Sequence, residues 1–191
     1  MFTSIAYLFI NFADKYYVQR YCGIEEFAVY NKALQFALIL PVIFNSFQNI
    51  WLPLMMKEKD LTVLRRKTNR IAKVVTLAFF ALSLLIVFGV WLSLQWNIIP
   101  KEYYEMVYVL PLACIGQIFA SLQLLFQYYM VYFEKTYINF VVSVVSSIAS
   151  VILNYFAVQH FSYFGVITVM IFINIIITLF YYFRSHFYIN N

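Results

Sequence analysis

The sequence predicts an all-α fold: a polytopic integral membrane bundle of about six transmembrane helices. Three observations carry this. First, 136–183, the 48 residues between Lys135 and Arg184, contain no Asp, Glu, Lys or Arg. Shorter uncharged stretches precede it at 33–56, 74–100 and 106–133. Second, the chain is 64% apolar and only 11% charged, with a mean hydropathy of +0.81, whereas soluble domains carry about 25% charged residues. Third, the apolar runs are unbroken. A membrane β-barrel would alternate polar and apolar residues over segments of ~10.

A helix crosses a ~30 Å hydrocarbon core at ~1.5 Å per residue, so each span takes ~20 residues. The chain of 191 residues therefore reads as a single transmembrane domain, 1–191, with no sizeable soluble part. The first helix is expected at about 2–17. It is short for a span, meets Asp14 and Lys15, and lacks the basic start and small-residue cleavage site of a signal peptide. It is expected to be truncated at its N-terminal end. Gly23 marks a turn. The second helix is expected at about 26–55, kinked at Pro41, and the third at about 71–96, followed by Pro100. The fourth is expected at about 105–133, with Pro111 early in it. Glu134 and Lys135 form a tight connection. The fifth and sixth are expected at about 137–159 and 161–183, ending in Arg184 and His186.

The net charge of +5 is local. Lys57, Lys59, Arg65, Arg66, Lys67, Arg70 and Lys73, set against Glu58 and Asp60, account for all of it. By the positive-inside rule this basic stretch is a cytoplasmic loop rather than a nucleic-acid surface. Alternation then places Lys135, Arg184 and the C-terminus inside, and Lys15, Arg20 and Lys101 outside.

Catalytic constellations are not in evidence. The two cysteines, Cys22 and Cys114, are far apart, and the two histidines, His160 and His186, lie at helix ends. Neither pair has metal-site spacing. Four glycines offer no phosphate-cradling loop. No enzyme activity, cofactor or metal is expected.

The informative residues are polar ones at membrane depth, because an unpaired polar group in hydrocarbon costs several kcal/mol. Asn31, Gln35, Asn45 and Asn49 recur on one face of the second helix, with Leu38 and Val42 between them and Lys32 about a quarter turn away. This stripe must face protein or water, and it is the candidate wall of a hydrated substrate cavity. Lys32, as an ionisable residue within a span, is a candidate contact for an anion. Asp14 and Lys15 are candidate gate or interface residues. On the fifth helix Asn139, Ser143, Ser146, Ser150 and Asn154 share a narrow arc, which reads as close helix packing through small residues. Gln117 with Ser121, Gln123 with Gln127, and Asn174 with Thr178 form weaker i,i+4 pairs.

The order of several short motifs resembles the C-terminal half of the bacterial polysaccharide, or O-antigen, flippases. These belong to the multidrug/oligosaccharidyl-lipid/polysaccharide exporter superfamily. The motifs are Asp14-Lys15-Tyr16-Tyr17, Gly23, then Phe27-Ala28-Val29-Tyr30-Asn31-Lys32-Ala33. Further along come Asn49-Ile50-Trp51-Leu52-Pro53, Pro100-Lys101-Glu102-Tyr103-Tyr104 with Leu110-Pro111, Glu134-Lys135-Thr136, Asn154-Tyr155-Phe156 and Phe164-Gly165.

The resemblance covers essentially the whole chain but half of a family member. It implies one six-helix lobe of a two-lobe, twelve-helix transporter in the bacterial cytoplasmic (inner) membrane. It further implies translocation of undecaprenyl-pyrophosphate-linked oligosaccharide for surface polysaccharide and lipopolysaccharide biosynthesis, with an N-terminal six-helix lobe or a second chain as partner. Other readings are a drug/cation antiporter relative, which would need an acidic residue deep in a span, and a non-transporting membrane partner or vestigial fragment.

Overall fold

Helices dominate because the apolar runs can satisfy their backbone polar groups only internally once water is excluded. The computed structural model describes residues 13–190. The N-terminal part of the expected first helix lies outside the described residues. Its C-terminal end is helix α1, 13–22, which runs past the expected 17. Gly23 follows with φ 91°, a left-handed conformation that glycine adopts without strain. This single residue turns α1 into α2, Ile24–Ala37, so that Asp14 meets Tyr30 across the hairpin.

Helix α3, Ile39–Lys57, continues α2 with an interruption at Leu38. Pro41 explains the position. Its ring blocks the carbonyl four residues earlier, that of Ala37, and supplies no N–H to it. The expected kink thus falls one turn before the proline.

Helix α4, Leu61–Gln95, begins ten residues before the expected 71, so most of the basic stretch is helix rather than loop. The cause is local. The Asp60 carboxylate accepts from the N–H groups of Thr62, at 2.8 Å, and Val63, at 3.2 Å, which caps the helix start. The Thr62 hydroxyl and these N–H groups hold the Asp60 carboxyl below its ordinary 3.8. The cap's contribution is therefore full above that pH and is lost as the pH falls through the depressed value. Glu58 pairs with Lys67 at 2.6 Å, while Arg66, Arg70 and Lys73 are exposed.

Helix α4 ends at Asn97, φ 55°, where Asn97 N–H bonds Leu94 O and Ile98 N–H bonds Ser93 O. The Glu134 connection repeats the pattern. Glu134, φ 57°, bonds Val131 O, and Lys135 N–H bonds Met130 O at 2.7 Å. Both are Schellman-type stops. A short 3-10 turn, Lys101–Tyr103, precedes α5, Met106–Tyr132.

Helix α6, Thr136–Asn190, is not one rod. Ser162, φ 53° and ψ −152°, breaks it, and the two arms, here α6a (136–161) and α6b (163–190), fold back on each other. Just after the break a Cβ on Gly165 would come within 2.6 Å of the Ala157 carbonyl oxygen. Glycine is therefore required there for close approach, not for its turn geometry.

Four described stretches are long and apolar enough to cross a membrane: Ile24–Lys57, Leu61–Gln95, Met106–Tyr132 and Thr136–Ile189. The last supplies two passes, so the chain is a polytopic all-helical bundle. Helix α5 sits at its centre and packs against α2, α3, α4 and α6. Between apolar helices in lipid, close packing and hydrogen bonds replace the hydrophobic drive. Asn174 Nδ2 donates to Gly116 O at 3.2 Å and Thr178 Oγ1 to Phe119 O at 3.0 Å, tying α6b to the α5 backbone. Tyr129 donates to Thr68 at 2.8 Å and Tyr132 to the Glu58 carbonyl at 2.8 Å. At the opposite end Ser162 donates to Glu26 at 2.6 Å and Tyr163 to Glu105 at 2.8 Å.

Replacing Gly165 by Val is expected to lower stability by about 1–3 kcal/mol through overpacking against Ala157. Replacing Gly89 by Ala, where nothing lies within 4 Å of the added Cβ, is expected to be neutral or to stabilise by up to about 1 kcal/mol. Thermal unfolding of the detergent-solubilised variants checks both.

Candidate functional site

Polar side chains from several of the apolar helices converge on one cleft of about 460 Å³. Helix α6a supplies Ser143, Ser146, Ser150 and Asn154, whose spacing of three and four residues puts them on one face. From α5 come Gln117, Ser121 and Gln123, and from α6b Asn174. Asn45 of α3 lines the opposite side with Leu38, Pro41 and Val42, and Asp14 of α1 closes one end. Apolar side chains such as Val166, Met170 and Ile177 complete the wall.

Several of these polar groups are fixed by their own helices. Ser121 donates to Gln117 O at 2.9 Å and Ser146 to Ser143 O at 3.1 Å. That spends each hydroxyl proton within the helix and leaves oxygen lone pairs for the cleft. Asn154 Nδ2 donates to Ser150 Oγ at 3.2 Å. Its carbonyl oxygen is buried and makes no hydrogen bond within the chain. A buried, unbonded acceptor costs about 1–3 kcal/mol, so the cleft is suited to water or to a hydroxyl-bearing ligand.

The Asp14 carboxylate is held by two donors. Tyr30, itself fully buried, donates to Oδ2 at 2.7 Å, and the Lys15 backbone N–H donates to Oδ1 at 2.7 Å. The sequence shows no acidic residue at the middle of a span, yet the Gly23 hairpin brings this helix-end carboxylate against the cleft. Chemically the site combines amides that both donate and accept, hydroxyl acceptors and one carboxylate. Among the described residues no three His, Cys, Asp or Glu side chains group as a metal site would need.

The residues singled out from the sequence are placed as follows. Asn45 and Asp14 line the cleft. Leu38 and Val42, the apolar middle of the Asn31–Asn49 face, line it too. Lys32, Gln35 and Asn49 lie exposed on the chain's surface, and Asn31 and Lys15 are half-buried. Of the α6a stripe, which reads from the sequence as a packing seam, Ser143, Ser146, Ser150 and Asn154 line the cleft, while Asn139 is buried outside it. Sequence reasoning saw these serines and amides but not their convergence. The signal available was the coincidence of polar arcs on four helices, and the direction of each arc depends on how the helices are rotated in the bundle.

Comparison of the chain with protein-family models, with curated proteins and with solved structures finds nothing that matches.

The cleft is expected to hold water. With Cys22→Ser and Cys114→Ala as background, Ser143→Cys should react with a hydrophilic maleimide. Leu77→Cys, on an exposed apolar face of α4, should stay unlabelled. Equal labelling of both in membrane vesicles would rule out a selective aqueous cleft.

Proposed function

We propose that this chain is one lobe of a transporter that moves lipid-linked oligosaccharide repeat units across the bacterial cytoplasmic membrane for surface polysaccharide biosynthesis. The observation that carries the reading is an open cleft in which amides, hydroxyls and one carboxylate gather within an otherwise apolar membrane bundle. A sugar head group cannot cross hydrocarbon without replacing its hydrogen bonds to water, and this lining offers donors and acceptors in place of water. Lys32 would pair with the pyrophosphate, since a charged donor makes the stronger hydrogen bond to an anion.

Lys32, Gln35 and Asn49 are exposed on this chain, although they belong to a span. Polar groups on a lipid-facing surface are costly, so an N-terminal six-helix lobe or a second chain would cover them and close the cleft. The charge distribution supports a cytoplasmic C-terminus, with the exposed Arg66, Arg70 and Lys73 on the inner side.

One observation favours a second reading. Asp14 lines the cleft, as the carboxylate of a cation-coupled exporter of the same fold would. That reading requires Asp14→Asn to abolish ion-driven efflux of a cationic dye from vesicles, with no dependence on lipid-linked sugar.

The test is complementation in a strain lacking its oligosaccharide flippase, with the chain expressed alone and joined to a six-helix N-terminal lobe. The joined form is expected to restore surface polysaccharide. In that form Lys32→Ala should cut transport by about 10–100-fold, the equivalent of a charged hydrogen bond. Asn45→Leu and Gln123→Leu should each cut it by about 3–10-fold, as neutral hydrogen bonds do. Normal polysaccharide from Lys32→Ala at normal protein level would remove the anion role.

A further inference from the structure

One exposed face of α4 changes character along its length. Arg66, Arg70 and Lys73, then Leu77, Phe80 and Leu84, follow at steps of three and four residues, which puts them on a single stripe. All six are exposed, while Thr68, Val75 and Phe79 on the opposite face are buried against the bundle. The stripe is basic up to Lys73 and apolar beyond it. Helix α4 contains no Asp or Glu to offset the basic part.

The length of α4 fixes where the change falls. Its 35 residues make ~52 Å at the helical rise, against a hydrocarbon core of ~30 Å. The uncharged part, 74–95, accounts for ~33 Å and fills that core. The stretch 61–73 therefore runs on beyond it. Lys73 stands at the edge of the hydrocarbon, with Arg70 ~4.5 Å and Arg66 ~10 Å further out. The headgroup layer on each side of the core is ~5–8 Å deep. Lys73 and Arg70 lie within it, and the Arg66 stem is long enough to reach back to it.

These cations are also held in place and left without carboxylate partners. The Asp60 cap starts the helix ahead of them. Tyr129 on Thr68 and Tyr132 on the Glu58 carbonyl tie this end of α4 to α5. Glu58 is taken by Lys67. Asp60 bonds the first N–H groups of the helix and offsets part of the Arg66 charge. Among the described residues none of Arg66, Arg70 and Lys73 stands in an ion pair.

We propose that this face of α4 binds an anionic glycerophospholipid, with its phosphate on Lys73 and Arg70, Arg66 above it, and an acyl chain along Leu77, Phe80 and Leu84. Charge and position select the same occupant. A phosphate accepts charge-assisted hydrogen bonds from Lys and Arg, and basic side chains just outside a span attract anionic lipid. A soluble polyanion would engage the cations alone. A lipid meets the cations and the apolar stripe below them at once. Such a site does not depend on what the cleft transports. It makes α4 the edge of the bundle that selects its neighbouring lipid by charge.

The test uses the full chain with Trp51, Trp91 and Trp96 replaced by Phe and one new tryptophan, Phe80→Trp on the stripe or Phe172→Trp on α6b. Both positions are 57% exposed, and Phe172 lies in the uncharged run 136–183. Each protein is placed in phosphatidylcholine vesicles that carry either phosphatidylglycerol or phosphatidylcholine with brominated chains. Quenching of the single tryptophan reads the lipid beside it. Phosphatidylglycerol is expected to be preferred by about 5–10-fold at Phe80→Trp, as a few basic groups at headgroup level allow, and not at all at Phe172→Trp. Raising the salt to ~0.5 M should bring the preference below about twofold, since exposed charges are screened.

Arg66→Gln, Arg70→Gln and Lys73→Gln together should abolish the preference, and Arg66→Lys with Arg70→Lys should keep it. No preference at Phe80→Trp would overturn the site and leave the basic face to a soluble acidic partner. Equal preference at the two tryptophan positions, or a preference that survives the three glutamines, would overturn it as well. Should the glutamine variant fail to fold, the salt series with Arg66, Arg70 and Lys73 intact decides. A preference indifferent to salt would then overturn the assignment.

Discussion

Polar atoms at membrane depth have to find partners, and the arrangement of this bundle follows from where they find them. Hydrocarbon offers no hydrogen bonds. The backbone solves its part by being helical. The side chains solve theirs by turning toward α5. Asn174 and Thr178 donate to α5 carbonyls, Tyr129 reaches Thr68, and Ser146 and Ser147 of α6a donate along their own helix. One buried acceptor left without a partner within the chain, the Asn154 carbonyl, belongs to the cleft wall.

The central place of α5 depends on small residues where neighbours come close. Ala113, Gly116 and Ser121 are buried along it, and the Asn174 amide reaches the Gly116 carbonyl directly. Gly165 does the same for the two arms of α6. Such contacts allow van der Waals packing where no hydrophobic drive exists between apolar helices. They also fix helix rotation, and rotation decides which face of each helix reaches the cleft.

The connections show how little chain is needed to reverse direction when the termini are well capped. Gly23, Asn97, Glu134 and Ser162 each take positive φ, and each stands at the end of a helix. The ends are then cross-tied by side chains from distant parts of the chain. Glu26 holds Ser162 and Glu105 holds Tyr163 at one end, and Glu58 holds Lys67 and Tyr132 at the other.

Hydropathy and charge by themselves determined that the chain is an all-helical, multi-pass membrane protein. They also placed most of the spans, because span length follows from bilayer thickness and, Lys32 apart, charged residues lie toward the ends. The expected starts of α5 and α6a lie within one residue of the observed Met106 and Thr136. The extension of α4 through the basic stretch was hidden, because Asp60 capping overrides the charge pattern that suggested a loop. The convergence of the α6a serines on Gln117, Gln123 and Asn45 was decided only by tertiary structure. Helical periodicity places residues on a common face, but the direction of that face is set by packing against α5. Asp14 is the plainest case. In sequence it marks the end of a short apolar segment. In the folded chain Gly23 turns it under Tyr30 and against the cleft.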